Sequence, residues 1–390
     1  MHCVWLGACN ECFCRNRIAS VRPPLHLPPL TKDRLRPVAR DTWPMRPASP
    51  AMVEGMRRSV TSVFSQADDL QAATRAEGNL GFVITRRGRF QARLTQVVLH
   101  RLRLADVEES LPRIAFISVP ENTILIALSV GSRSPQVWGG ISTQVDDLIT
   151  LGPGQCVPSR TDGPSHWGAI WFPQEFFAEC SRALTGDLWR LPDHVSVWRP
   201  APSARQELRR LHSVAVRATH AQPVRLTEVE AAHGLEQQLI HALIECLSGG
   251  PVSTEPVTTR RHQDLAVRFE EFLRTQPDRE LDLVEICAAL GVSDRLLRRC
   301  CEQQLGMSPM SYVRLRRMQL VHHDLRYGTP DTMRVSDVAR RYGFRNLGRF
   351  AGSYRELFGE LPSLTLRQSP YGAKAEVASW RRTAAAPRPR

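Results

Sequence analysis

Arginine side chains recur in two short segments of the C-terminal half, each directly after a glycine-containing turn signal. A guanidinium group can pair with phosphate oxygens or bidentately with guanine, so this residue type suits nucleic-acid recognition. Between Arg295 and Arg355 there are thirteen arginines against four acidic residues, the local excess that a phosphate-binding surface needs. The arginines closest to the turns are Arg295, Arg298 and Arg299 in the first segment and Arg345 and Arg349 in the second.

The first segment predicts two helices joined by a tight turn. Asp282 and Glu285 have the spacing of a capping box, Gly291 supplies a turn residue that tolerates positive φ, and Ser293 can cap the second helix. Helical periodicity then separates an apolar face from the arginine face. The inward positions are Leu297, Cys300 or Cys301, and Leu305.

The second segment repeats this arrangement about 53 residues later. Asn346 can cap its second helix, and a helix from Ser311 to Arg326 is predicted between the two units. A helix, a short turn and an arginine-bearing helix together form the pattern of a helix-turn-helix motif, whose second helix enters the major groove. The apolar face comprises Val335, Val338 and Ala339, then Phe350, Tyr354 and Phe358, with the turn at Tyr342-Gly343-Phe344.

Ordered motifs over about residues 261–368 resemble the AraC/XylS family of transcriptional regulators. They are Gly306-Met-Ser-Pro309, Tyr312, Arg317, Tyr342-Gly-Phe344, the Phe350, Tyr354 and Phe358-Gly359 series, and Leu361-Pro362. The stretches Arg345–Phe350 and Leu361–Leu366 look most like the subgroup of ethanolamine-operon regulators. The resemblance implies a seven-helix DNA-binding domain with two helix-turn-helix subdomains on one long helix.

The resemblance also assigns candidate DNA contacts, and we expect the first unit to dominate the reading of bases. In the second unit the family's base-contacting positions fall on Leu347, Gly348, Ala351 and Gly352, where relatives commonly carry polar side chains. We therefore expect that unit to recognise the backbone or the shape of the DNA, with its glycines letting the helix approach the DNA closely. The predicted sites are Ser293, Arg295, Arg298 and Arg299 in the first unit and Arg345, Asn346, Gly348, Arg349 and Gly352 in the second.

Upstream, short β-branched and apolar runs separated by Gly, Pro, Asn and Asp predict a β-sandwich or barrel. The expected fold is a multidomain α and β protein, with a β-rich, cupin-like N-terminal sensor domain and an all-α C-terminal domain. The leucines at 235, 239, 243 and 247 predict either packing within the chain or a dimer seam. The predicted boundaries are 1–75, a disordered or mis-assigned extension with Met52 or Met56 as alternative starts; 76–190, the sensor; 191–248, a helical segment and candidate dimer interface; 249–260, the linker; 261–368, the DNA-binding domain; and 369–390, a disordered tail.

Bulk properties narrow the class of protein. The 390 residues carry a formal net charge of +13, which favours an anionic partner. The sequence contains no run of eighteen apolar residues, so no membrane span is predicted. The ten cysteines are not spaced as in a disulfide framework, so free thiols in a reducing cytoplasm are expected. His100, His166 and His194 stand apart without a His-x-His pair, so neither metal, cofactor nor enzyme is predicted.

These patterns predict a cytoplasmic, effector-responsive regulator that binds promoter DNA and activates a metabolic operon. A small-molecule effector, a homodimer and contact with RNA polymerase are further expectations, the last from the resemblance alone. Two alternatives stay open: an architectural DNA-binding protein with little sequence preference, and a cupin-type metalloenzyme.

Overall fold

The computed structural model describes residues 59–74, 79–131, 135–187, 189, 191–192, 194–221, 229–249, 251, 253–254 and 257–369. In chain order the strands are β1 (Val60–Phe64), β2 (Asn79–Ile84), β3 (Ala92–Val98), β4 (Arg103–Glu109), β5 (Arg113–Ser118), β6 (Thr123–Ser129), β7 (Gln136–Trp138), β8 (Ile141–Ser142), β9 (Leu148–Leu151), β10 (Cys156–Thr161), β11 (Ser165–Pro173), β12 (Ser196–Trp198) and β13 (Ser253–Thr254). The helices are α1 (Ala67–Thr74), α2 (Gln174–Thr185), α3 (Pro202–Ala221), α4 (Val229–Leu247), α5 (Val257–Thr275), α6 (Leu283–Leu290), α7 (Asp294–Leu305), α8 (Pro309–Tyr327), α9 (Val335–Arg341), α10 (Leu347–Phe358) and α11 (Pro362–Arg367).

The strands form two antiparallel sheets. The larger has the order β1-β3-β4-β11-β6-β9-β12-β13, and the smaller has the order β2-β5-β10-β7-β8. Strand β11 shows how they pack, because successive side chains of a strand point to opposite faces. Trp167, Ala169 and Trp171 are buried between the two sheets. Ile170 and Phe172 are buried against helices α2–α4 on the other face.

The smaller sheet is covered on its outer face by the C-terminal helices. Val83, Ile114 and Phe116 share one apolar core with residues of α5–α8. The described chain is therefore layered as helices α2–α4, larger sheet, smaller sheet and helices α5–α8. The predicted fold class, a β-rich N-terminal region followed by an all-α C-terminal region, is confirmed, and residues 257–369 contain seven helices.

The leucine stripe of α4 packs within the chain. Leu239, Leu243 and Leu247 are buried in the core beneath the larger sheet, and Leu235 packs against its margin. Of the two interpretations of this stripe, the structure shows the intramolecular one, because the larger sheet needs an apolar cover on its second face.

Two segments carry more structure than their sequences suggested. Before residue 76, β1 pairs with β3, and α1 buries Leu70 in the core between the sheets. Within 249–260, β13 pairs with β12 and α5 already begins at Val257. The local sequence does not indicate structure in either segment, because pairing and packing with distant residues stabilise it. Residues 1–58 and 370–390, including most of the predicted extension and tail, lie outside the described residues.

Candidate nucleic-acid interface

Local sequence signals position the first helix-turn-helix unit. The Asp282 carboxylate accepts the backbone N–H of Glu285 at 2.8 Å, and the Glu285 carboxylate accepts that of Asp282 at 3.1 Å, which completes the predicted capping box. Helix α6 ends at Gly291, whose φ of 68° is left-handed, and the Ser293 side chain caps α7 by accepting from the Leu296 N–H. The predicted turn and both caps are confirmed, so this unit is specified by residues close in sequence.

Packing behind α7 turns its arginines outward. Leu297, Cys300, Cys301 and Leu305 are all buried, which settles that both cysteines face the core. Burial raises the pKa of the Cys300 thiol to about 12, so it acts as a small apolar group rather than a reactive one. The opposite face exposes Arg295, Arg298, Arg299 and Glu302.

The first unit is fused to the smaller sheet. Phe116 of β5 meets Tyr312 of α8 edge to face, with ring centroids 6.4 Å apart. Beneath them, the buried Glu270 carboxylate accepts from Arg316 Nε at 3.0 Å and from the Tyr312 hydroxyl at 2.8 Å. Gln304 near the end of α7 donates to the carbonyl of Gly139 at 3.2 Å. These contacts hold the back of α7 and leave its arginine face free.

The second unit repeats the geometry with different residues. Val338, Ala339, Phe350 and Tyr354 are buried, and Gly343 makes the turn with a φ of 81°. The Asn346 side chain caps α10 by accepting the Arg349 N–H at 3.0 Å, as predicted. The candidate contact residues Arg345, Gly348, Arg349 and Gly352 are all exposed.

Packing does not explain the two glycines of α10. A Cβ added to Gly352 would meet no atom within 4 Å, and one added to Gly348 would approach only Asn346 Oδ1, at 3.7 Å. Neither has the positive φ that would demand glycine. Because glycine weakens a helix relative to alanine, these positions cost stability without a structural return.

Several arginines of the interface are held by weak surface pairs. Arg298 pairs with Asp294 at 2.6 Å, and Arg345, whose side chain is 83% exposed, pairs with Glu280 at 2.5 Å. Exposed pairs of this kind contribute about 0–1 kcal/mol each. Phosphate groups of a polyanion can therefore compete for these guanidinium groups at little cost.

The structure adds two arginines that the sequence-based list omitted. Arg314 and Arg317 of α8 line a cleft of about 250 Å³ beside the turn of the second unit. Arg314 Nη2 donates to Ser353 of α10 at 2.7 Å, and Arg317 Nη2 donates to the Arg279 carbonyl at 2.5 Å. Burial lowers the pKa of Arg317. Arg317 belongs to a quoted family motif, but only the tertiary structure shows that it faces this cleft. The cleft is lined by Met310, Val313, Arg314, Arg317, Tyr342, Gly343, Phe344, Arg345, Asn346, Arg349 and Phe350.

Asp106 of β4 has two histidine side chains close to it. His166 Nε2 lies 3.0 Å from Asp106, and the buried His212 lies 3.9 Å from the same carboxylate. In the part of the chain that the structure describes, no three His, Cys, Asp or Glu residues are grouped to hold a metal ion. Among the described helices, none has the length and apolar character needed to cross a bilayer.

A comparison with family models matches residues 286–368 to a model described as "Helix-turn-helix domain". These residues form a helix-turn-helix domain. The match to this domain begins within α6 and ends after α11, so it covers both units described above.

Curated relatives match about a quarter of the chain. A probable thc operon regulatory protein of Rhodococcus erythropolis is 37% identical over 107 residues, 27% of this chain and 31% of its own length. The XylDLEGF operon transcriptional activator 2 of Pseudomonas putida is 37% identical over 99 residues, 25% of this chain and 63% of its own length. The chain thus spans less than two thirds of each relative.

Solved structures of similar proteins include the AraC-like transcriptional activator CuxR, at 15% identity and a TM-score of 0.37 over 68% of this chain and 96% of that one. A probable AraC family transcriptional regulator from Rhodopseudomonas palustris is 34% identical, with a TM-score of 0.25 over 27% of this chain and 99% of that one.

Proposed function

We propose that this chain is a sequence-specific, DNA-binding transcription regulator. The observation that carries the proposal is the pair of capped helices, α7 and α10, whose basic faces are exposed while their backs pack on one domain. Relatives of this domain are named as operon regulators and activators. By the same likeness, this chain activates a metabolic operon, contacts RNA polymerase and acts in the cytoplasm. The ethanolamine-regulator subgroup remains part of this proposal.

The two units are proposed to read DNA differently. Arg295, Arg298 and Arg299 have the reach and donors for guanine edges in the major groove, with Ser293 holding the helix start. The second unit contacts backbone through Arg345, Asn346 and Arg349, while Gly348 and Gly352 let the helix lie close to the duplex.

Selection from a random pool of duplexes tests the function with the full-length protein. We expect one enriched sequence that spans two successive major-groove segments, and affinity that falls steeply as salt rises. An architectural binder would show the salt dependence without an enriched sequence. A metalloenzyme would instead retain a metal that elemental analysis detects. Absence of an enriched sequence would refute sequence-specific binding.

The proposed effector site is a small cavity between the two sheets, of about 30 Å³. Two of its wall residues, Trp167 and Trp171, have buried indole N–H groups that find no hydrogen-bond partner among the described residues. By contrast, the indoles of Trp138 and Trp198 donate to Gln136 and Thr150. Unmatched buried donors are costly, so an occupant should supply acceptors.

The cavity also limits what enters. Its volume suits about two water-sized groups, so a larger effector requires an outward shift of α1, which contributes Leu70 and Thr74 to the wall. The remaining wall is mostly apolar, and Arg113 at one side already pairs with Glu109 at 3.2 Å. The favoured class is a small apolar molecule that carries a hydrogen-bond acceptor, such as a ketone.

Indole N–H resonances of ¹⁵N-labelled protein test this site. Butanone should shift the signals of Trp167 and Trp171, assigned with Trp167→Phe and Trp171→Phe, and leave that of Trp198 in place. The near-isosteric 2-methylbut-1-ene, which lacks an acceptor, should shift neither. Equal responses to both probes would show that the acceptor is not needed, and no response to either would leave ordered water as the occupant of the cavity.

The homodimer also stays a prediction. Because the leucine stripe of α4 is buried within the chain, a dimer interface must use another surface. Analytical ultracentrifugation with and without the selected duplex distinguishes one copy from two.

A further inference from the structure

Helix α1 of the β-rich region reaches across to α8, the helix that links the two DNA-binding units. Asp68 Oδ2 lies 3.6 Å from Nδ1 of His322 and 3.6 Å from Nδ1 of His323. Asp69 accepts from the Tyr327 hydroxyl and lies 3.4 Å from Arg326 Nη2. Two acids on one turn of α1 therefore face a patch of basic and hydroxyl groups on the last turns of α8.

The Asp68 carboxylate depends on these imidazoles. Its side chain is only 14% exposed, and Oδ2 has no hydrogen-bond partner among the described residues. A buried carboxylate needs a nearby positive charge to offset its desolvation. Burial acts to raise the pKa of Asp68, but its contacts with His322 and His323 outweigh burial and lower it. The carboxylate is therefore charged throughout the neutral range.

His322 connects this cluster to the second unit. Its ring stacks on Phe358 of α10 with centroids 4.3 Å apart, and lies 6.0 Å from the ring of Tyr354. Asp324 of α8 accepts from the Tyr342 hydroxyl at 2.8 Å and lies 3.7 Å from Arg341 Nη1. The contact with α1 thus lies at the end of α8 that packs against α9 and α10.

His323 is the group whose charge changes near neutral pH. Burial acts to lower the pKa of His323, but Asp68, Asp324 and Asp69 together raise it above the usual 6.5. A raised pKa means that protonation stabilises the folded contact fully below the ordinary value. That stabilisation is lost as pH rises through the folded-state value. Other titratable or charged groups also face this contact. They are Asp69, Arg326 and Tyr327, with Asp324 and Arg341 behind them and Glu360 beyond Tyr354.

We propose that α1 and the C-terminal turns of α8 form a pH-sensitive clamp, closed while His323 is protonated, which fixes the second DNA-binding unit against the β-rich region. When His323 loses its proton, the buried Asp68 carboxylate loses the positive charge that offset its desolvation, and the clamp opens. The first unit does not follow, because its core is shared with the smaller sheet.

Given the proposed function, on which this inference rests, the clamp also affects the affinity of the chain for DNA. Both basic faces are exposed in the clamped structure, so closing the clamp hides neither. A unit that is already fixed loses less freedom on binding than a mobile one. Affinity for a duplex read by both units therefore falls as the clamp opens, whereas affinity for a duplex that holds only the first unit's half-site does not.

Hydrogen exchange of the full chain tests the clamp without DNA. Protection factors, which remove the intrinsic pH dependence of exchange, should drop about tenfold for amides of α1 and Asp324–Tyr327 between roughly pH 6 and pH 9. In His323→Gln and in Asp68→Asn they should be low and independent of pH. The control His241→Gln changes an exposed histidine of α4 and should keep the wild-type profile.

The DNA arm compares the selected duplex with one truncated to the first unit's half-site. We expect the ratio of the two affinities to fall several-fold over the same pH range, and to stay flat in His323→Gln. A wild-type protection profile without pH dependence, or one that His323→Gln leaves unchanged, overturns the clamp. Failure to select any duplex would contradict the proposed function and leave the exchange test intact.

Discussion

The two DNA-binding units share a helix-turn-helix geometry but differ in what supports them and in what they present. The first shares a core with the smaller sheet and exposes three arginines on α7. The second is attached through α8, its ring contacts with His322 and the acids of α1, and it exposes glycines beside its arginines. Under the proposed function, the rigid, donor-rich helix α7 reads bases and the smoother helix α10 follows the backbone.

The largest expected effect tests the support of the first unit. Glu270→Leu leaves the buried Arg316 guanidinium without its counter-charge, so the free energy of unfolding should fall by about 3–5 kcal/mol. Chemical denaturation measures this loss. The neighbouring Glu271→Ala, at an exposed position, is the control and should change stability little. Equal losses in both variants would contradict a special role for the buried pair.

An intermediate effect tests the division of base reading. Arg298→Ala or Arg299→Ala should cost roughly 1–3 kcal/mol on the selected duplex and relax its base preference. Arg349→Ala should weaken binding evenly across sequences and reduce the salt slope by about one. Titrations at several salt concentrations separate the two behaviours. Binding profiles unchanged in the first pair of variants would remove α7 from base readout.

The smallest effect tests the glycines of the second unit. Gly352→Ala should raise the free energy of unfolding by up to about 1 kcal/mol, because the added methyl group meets open space. DNA affinity should nevertheless fall, since the methyl group stands between helix and duplex. Gly359→Ala, at a φ of 79°, is the contrasting variant and should destabilise the protein. A stabilised Gly352→Ala protein with undiminished affinity would show that close approach is not needed.

Local signals predicted the DNA-binding region far better than the β-rich one. The caps at Asp282, Ser293 and Asn346 and the turn at Gly291 lie within a few residues of the groups they satisfy. The sequence pattern does not indicate β4, whose residues alternate poorly, or β13, which has only two residues in a polar linker. Both strands exist because neighbouring strands offer them hydrogen-bond partners.

Sequence by itself determined the two capped helix pairs, their apolar backs and the arginines in front, because helix periodicity and capping act over single turns. It also fixed the order of a β-rich region followed by helices. Only the tertiary structure decided that the α4 leucines pack inside the chain, that Trp167 and Trp171 keep unmatched donors, and that Asp68 meets His322 and His323. Each of these joins residues far apart in the chain, and such pairings depend on how whole layers stack.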